Sequence, residues 1–153
     1  MIMPCFVTTL EPMVSFNEEC GAKMLTQLIT GLKQLHGLGY AHMDVKSSNI
    51  CVQNGDVVLI DLGSGAKFDH YTVSTSVYLP QDLEHKGNNR YKSSAATDWW
   101  MLAVVYTEKV HKIEIGGQKE TPTMEKIFSY CVDTPLESIL KSEMEKLQTP
   151  DSA

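Results

Sequence analysis

Two β-prone apolar runs, Ile50-Cys51-Val52 and Val57-Val58-Leu59-Ile60, flank the tetrapeptide Gln53-Asn54-Gly55-Asp56. Asn-Gly between such runs is the strongest short hairpin signal, because both residues tolerate the positive φ of a two-residue turn. Antiparallel pairing of the runs then fixes where their flanks go. Asn49 precedes the first strand and Asp61 follows the second, so the hairpin brings both to one edge. Each flank is part of a polar cluster: His42-Met43-Asp44-Val45-Lys46-Ser47-Ser48-Asn49 before, and Asp61-Leu62-Gly63 after.

The remaining chain supplies helices and connections. Cys5 to Leu10 is a short β-prone run closed by Glu11-Pro12. Ser15-Phe16-Asn17-Glu18 has the spacing of a capping box, with Ser15 as the cap. Leu25, Leu28, Ile29, Leu32 and Leu35 then recur at the three- and four-residue spacing of one helix face. Gly37 and Gly39 are stop signals for that helix, and Gly21 predicts a weak or broken first turn. Gly63 to Leu79, rich in Ser and Thr, reads as exposed and irregular. Ala95 to Tyr106 is apolar nearly all round, the pattern of a buried helix, with Trp99 and Trp100 as core aromatics. Lys109 to Thr123, with Gly116-Gly117, reads as a loop. Met124 to Cys131 and Leu136 to Leu147 are predicted as two short amphipathic helices, and Thr149 to Ala153 as a loose tail.

Charge and cysteine usage narrow the function classes. With 13 basic against 19 acidic residues the formal net charge is -6, which argues against a nucleic-acid or membrane partner. No run approaches the roughly 18 apolar residues of a membrane span. Met1-Ile2-Met3-Pro4 lacks the basic start and apolar stretch of a secretory signal. Cys5, Cys20, Cys51 and Cys131 are widely spread without a Cys-x-x-Cys pair, so the expectation is reduced, mostly buried thiols in a cytoplasmic or nuclear protein.

His-x-Asp-x-Lys-x-x-Asn followed after a hairpin by Asp-x-Gly resembles the catalytic and metal-binding loops of eukaryotic-type protein kinases. Lys46 at its position favours the serine/threonine group. Ser74-Thr75-Ser76-Val77-Tyr78-Leu79-Pro80-Gln81 resembles the end of the family's activation segment, one residue short, and Asp98-Trp99-Trp100-Met101-Leu102-Ala103-Val104 resembles its buried central helix. The resemblance is firm from about Phe6 to Glu108. It implies an α+β, mainly α fold: the C-terminal lobe of the protein kinase-like fold with a small β-hairpin. Residues 1–148 would form this partial domain, lacking most of the N-lobe, and 149–153 the tail. It further implies ATP and Mg²⁺ as cofactors and a protein substrate or partner protein. Asp44 would accept the substrate hydroxyl proton, Lys46 would steady the γ-phosphate, and Asn49 and Asp61 would hold the metal. Thr75 would bond Asp44 and Lys46, and Asp98 would brace the backbone of the motif loop. His42 reads as a packed, orienting residue rather than an acid or base.

Departures from the family pattern bound the reading. Met43 replaces the arginine that pairs with a phosphorylated activation segment, a charge-assisted contact methionine cannot make. Activity independent of such phosphorylation is therefore expected, even if Tyr71, Thr72, Ser74 or Ser76 is modified. Leu62 replaces phenylalanine and Ala103 glycine, both mild changes. Gln81 replaces a glutamate whose arginine partner is missing, since Arg90 is the only arginine in the chain. The sequence has no Gly-x-Gly-x-x-Gly loop and no Val-Ala-x-Lys strand, so it presents half of a nucleotide pocket. Two readings follow: a serine/threonine kinase represented by its large lobe, or a pseudokinase-like scaffold or binding module. Coincidence is remote, because the hairpin places the second cluster where the first requires it.

Overall fold

Thr8–Thr9 form a short strand, β1, and Asn17 opens the longest helix, α1 (Glu18–Gly37), in the computed structural model. The structure describes residues 8–9, 17–53, 56–61, 63, 65–84, 86–88, 90–113 and 121–148. The cap of α1 is Asn17, whose side chain accepts the Cys20 amide at 2.8 Å; Ser15, expected in that role, lies outside the described residues. Asn is as good an N-cap as Ser, and Glu18 and Glu19 in the first turn complement the helix dipole. The break expected at Gly21 does not occur: the helix runs through it unbroken, and Gly21 is buried. Met24, Leu25, Leu28, Ile29 and Leu32 enter the core, and Leu35 is partly buried. Helix α1 stops at Gly37, and Gly39 turns the chain at φ 85°, a left-handed conformation glycine adopts without a Cβ clash.

The chain then enters β2 (Tyr40–Ala41), the motif loop, a 3₁₀ turn at Ser47–Asn49, and the expected hairpin of β3 (Ile50–Gln53) and β4 (Asp56–Leu59). Register runs from Ile50↔Leu59 to Gln53↔Asp56, which leaves a two-residue connection at 54–55; those two residues themselves lie outside the described set. β1 pairs antiparallel with β3, completing a three-stranded sheet in the order β1-β3-β4. Only Thr8–Thr9 of the β-prone run near the amino terminus falls among the described residues. Gln27 of α1 fastens the hairpin to the helix. Its amide donates to Asp56 Oδ1 at 2.8 Å, while its carbonyl accepts the Val57 N–H at 2.8 Å. That hydrogen bond, with Lys23 nearby, holds the Asp56 carboxyl below the ordinary carboxylate range.

Gly63 to Leu79 departs from expectation. It contains β5 (Ala66–Lys67), paired with β2, and β6 (Tyr71–Val73), paired with the later strand β7 (Arg90–Lys92), and a 3₁₀ turn at Ser76–Tyr78. Ser74 and Leu79 are buried. Strands of two or three residues give too little alternation to read as such, and their partners come from elsewhere in the chain.

Helix α2 (Ala95–Val110) is the core. Ser94 caps it by accepting the Thr97 amide, and everything from Thr97 to Thr107 is buried. It extends past Tyr106 to Val110, so Lys109 and Val110 belong to it rather than to the following loop. Helices α3 (Met124–Tyr130) and α4 (Glu137–Gln148) form where expected and pack onto α2; Ile127 of α3, Leu140 of α4 and Leu136 just before α4 are all fully buried. Each such side chain contributes about 1.5–3 kcal/mol of transfer free energy. The architecture is α+β and mainly helical. Gly116-Gly117 and Thr149–Ala153 lie outside the described residues.

Of the described cysteines, Cys51 and Cys131 are buried and Cys20 is exposed. Burial pushes the Cys131 thiol up to about 12, against a Thr107 hydrogen bond that pulls it down. Its folded value is thus raised, so its contribution to stability is complete below the unfolded thiol value of 9.0 and is lost as pH rises toward 12. Tyr91 and Tyr106, raised above 10.0 by burial, act in the same direction. The native chain is expected to be alkylated by iodoacetamide at Cys20 well before Cys131, with melting temperature declining above about pH 9. Mass-spectrometric mapping checks the first part; fast modification of Cys131 in folded protein would contradict it.

Candidate active site

The loop from His42 to Lys46 contains a backbone that needs outside support. Met43 sits at φ 68°, a left-handed conformation costing an L-residue roughly 1–2 kcal/mol. Asp98, in the first turn of α2 and fully buried, supplies that support. Its carboxylate accepts the His42 N–H at 2.8 Å and the Met43 N–H at 2.7 Å, as expected of a brace. On the other side of Met43, the Ser74 hydroxyl donates to the Met43 carbonyl at 2.5 Å. The methionine side chain is fully buried in the core.

His42 is buried, and both ring nitrogens are occupied. The Asp44 N–H donates to Nδ1 at 3.1 Å, so Nε2 carries the proton and donates to the Ile60 carbonyl at 2.9 Å. A ring held this way, with both nitrogens engaged, orients the loop against the hairpin. The Ile60 amide also donates to the Asn49 carbonyl at 2.8 Å, closing the hairpin edge on which Asn49 and Asp61 were expected to meet.

Three donors converge on Asp44. Thr75 Oγ1 donates to its Oδ1 at 3.2 Å, Asn49 Nδ2 donates to its Oδ2 at 3.0 Å, and Lys46 Nζ lies 3.6 Å from Oδ1. Lys46 also donates to Thr75 Oγ1 at 3.3 Å, and Asn49 Nδ2 to the Asp44 carbonyl at 2.9 Å. The carboxylate is therefore fixed in direction while remaining partly exposed. This is the Asp44–Lys46–Thr75 contact that the motif implies. Asp61 stands apart. It is exposed at φ 61°, and its Oδ1 accepts the Gly63 amide at 3.0 Å. Leu62 lies outside the described residues. Asn49 Oδ1 and Asp61 Oδ2 have no hydrogen-bond partner among the described residues, so two hard oxygens suited to Mg²⁺ flank the hairpin edge.

Several supports were missed in the sequence. His36 Nε2 bonds Asp98 Oδ2 at 2.7 Å, with Trp99 edge-on to the His36 ring at 5.0 Å between centroids. The signal existed: His36 follows Leu32 by four residues, a polar group on the buried stripe of α1. Ser47 donates to Glu108 Oε1 at 3.1 Å, tying the 3₁₀ turn to α2. Ser74, expected in an exposed and modifiable segment, is buried and engaged with Met43.

The chain matches the family profile described as "Protein kinase domain" over residues 3–151. It is 31% identical over 116 residues to Cyclin-dependent kinase C-1 of Arabidopsis thaliana, covering 70% of this chain and 22% of that protein. Cyclin-dependent kinase 12 of Caenorhabditis elegans is 33% identical over 130 residues, covering 78% of this chain and 17% of that one. The Drosophila melanogaster protein of the same name is 36% identical over 129 residues, covering 78% and 11%. The chain thus spans about a fifth or less of these relatives' lengths. Among solved structures, the Cydia pomonella granulovirus kinase PK-1 superposes with a TM-score of 0.64 at 23% identity, over 80% of this chain and 47% of that one. That likeness shows the protein kinase-like fold. Among the described residues, no helix is long and apolar enough to cross a membrane.

Proposed function

Because this chain belongs to the protein kinase family, we propose that its motif loop is the catalytic edge of a serine/threonine protein kinase acting with ATP. The observation that carries this reading is the convergence of Thr75, Lys46 and Asn49 on the Asp44 carboxylate. An aspartate aimed in this way, yet reachable from solvent, suits a group that must meet a hydroxyl. In the proposed step a substrate Ser or Thr oxygen bonds to the γ-phosphorus, the bond from that phosphorus to the ADP oxygen breaks, and Asp44 takes the hydroxyl proton. Lys46 steadies the transferring phosphoryl group. Asn49 and Asp61 would hold Mg²⁺, which supplies neutralisation of phosphate charge.

A second reading is a scaffold or binding module without turnover. One measurement separates the two. Titration calorimetry of the chain with Mg²⁺-ATP is expected to show binding that Asp61→Asn weakens about tenfold or more, since one carboxylate then no longer faces the metal. Binding that ignores Asp61, or no binding at all, would favour the scaffold.

A further inference from the structure

The outward face of the β6–β7 ladder carries cations in a chain that is otherwise strongly acidic. Tyr71 faces Lys92 across the ladder, and Val73 faces Arg90. All four are exposed, with Tyr71 at 42% and Val73 at 59%, while Tyr91 between them turns into the core. Lys86 lies over the Tyr71 ring at 4.2 Å, and Tyr71, Glu84, Lys86 and Lys92 line a cavity of about 280 Å³. Lys67 of β5 is also exposed nearby in the fold, its strand running on toward β6 through His70 and the Ser93 hydrogen bonds. Against these cations stand Asp69, which pairs with Lys92 at 3.3 Å in an exposed contact, and Glu84. Lys67 and Arg90 have no ion pair among the described residues. Three of the chain's 13 basic residues, Lys86, Arg90 and Lys92, thus gather on one small surface, in a protein of net charge -6.

We propose that this face docks an extended acidic segment of a protein substrate, one bearing carboxylates at alternate positions. Arg90 and Lys92 are two residues apart on the same side of β7, about 6.5 Å along a strand. Side chains at alternate positions of an extended peptide have that same repeat. Cations spread along a strand suit a row of carboxylates better than a single phosphate, which calls for donors converging on one point. Val73 and the Tyr71 ring offer apolar contact between the charges. The position fits delivery of a hydroxyl to the loop. β6 runs directly into Ser74, bonded to the Met43 carbonyl, and Thr75, bonded to Asp44. β2, the partner of β5, runs directly into His42. This substrate class rests on the kinase reading, but the docking itself requires no phosphate transfer.

The test is fluorescence anisotropy of the chain without nucleotide. The probes are three fluorescein-labelled peptides around one Ser: Glu at alternate positions, Gln in their place, and Gln with a single phosphoserine. The Glu peptide is expected to bind about tenfold more tightly than the Gln peptide, and to release as salt is raised to about 0.5 M. Lys86→Glu with Arg90→Glu should weaken it about tenfold, while Asp69→Asn, which frees Lys92, should tighten it about twofold. Equal binding of Glu and Gln peptides, or charge reversal without effect, overturns the proposal. Tighter binding of the phosphoserine peptide overturns the carboxylate assignment in favour of phosphate. If docking fails while Asp44-dependent transfer persists, the kinase reading stands alone; docking without transfer leaves this face a binding surface only.

Discussion

Asp98→Ala is expected to cost about 3–5 kcal/mol of stability, which for a domain of ordinary stability leaves a large unfolded fraction. The carboxylate serves three partners at once: the His42 and Met43 amides and His36 Nε2. Removing it strands two buried backbone N–H groups, each carrying a desolvation penalty of about 1–3 kcal/mol, and opens a void beside Trp99. It also releases the left-handed backbone at Met43. Urea unfolding followed by fluorescence of Trp99 and Trp100 measures the loss directly. Asp98→Asn keeps the shape and one acceptor oxygen, so it should fall between wild type and the alanine variant. A loss under about 1 kcal/mol for Asp98→Ala would mean that the brace is not what holds the loop.

Asp44→Asn is expected to lower phosphate transfer by about 10²–10⁴, the range general-base catalysis supplies. The polypeptide of these 153 residues is expected to start far below the ordinary kinase range of about 1–100 s⁻¹, because these residues contain no glycine-rich loop or Val-Ala-x-Lys strand. A radiolabel assay with Mg²⁺-ATP and a Ser/Thr peptide has the needed sensitivity. The substitution keeps size and most hydrogen bonds around position 44, so folding and nucleotide binding should be unchanged within about twofold. Equal transfer by both forms would remove Asp44 from the chemistry. Transfer by the wild-type chain at ordinary kinase rates would show that these residues suffice.

What the sequence disclosed about the site was what short-range spacing can encode. The Asn54-Gly55 signal fixed a register in which Gln53 faces Asp56, and that register set the hairpin edge beside Asn49. The apolar stripe of α1 and the all-round apolar α2 were equally visible, since each is a property of one continuous segment. The hidden parts depend on partners far apart in the chain. The bond between His36 and Asp98 spans 62 residues: the buried stripe of α1 marks His36 as a polar group needing a partner, but nothing local says which partner. The β6–β7 ladder escaped notice because three-residue strands carry no usable period, and their stability comes from pairing rather than propensity. The Gly21 break failed to appear for a related reason. Tertiary packing of Met24, Leu25 and Leu28 outweighs the roughly 1 kcal/mol that a helical glycine costs.

Met43 has a consequence for the order in which events occur. Its amide is tied to a helix in the core and its carbonyl to the segment carrying Ser74. The two bonds leave that residue no freedom to lose when a ligand arrives. Ordering one residue's backbone costs about 1–2 kcal/mol, and here that cost falls at folding rather than at encounter with substrate. Whatever meets this surface finds the aspartate already aimed. The loop's readiness is therefore a matter of how well α2 packs, and a distant core substitution that loosens Asp98 would disturb the aim of Asp44 before it was seen as unfolding.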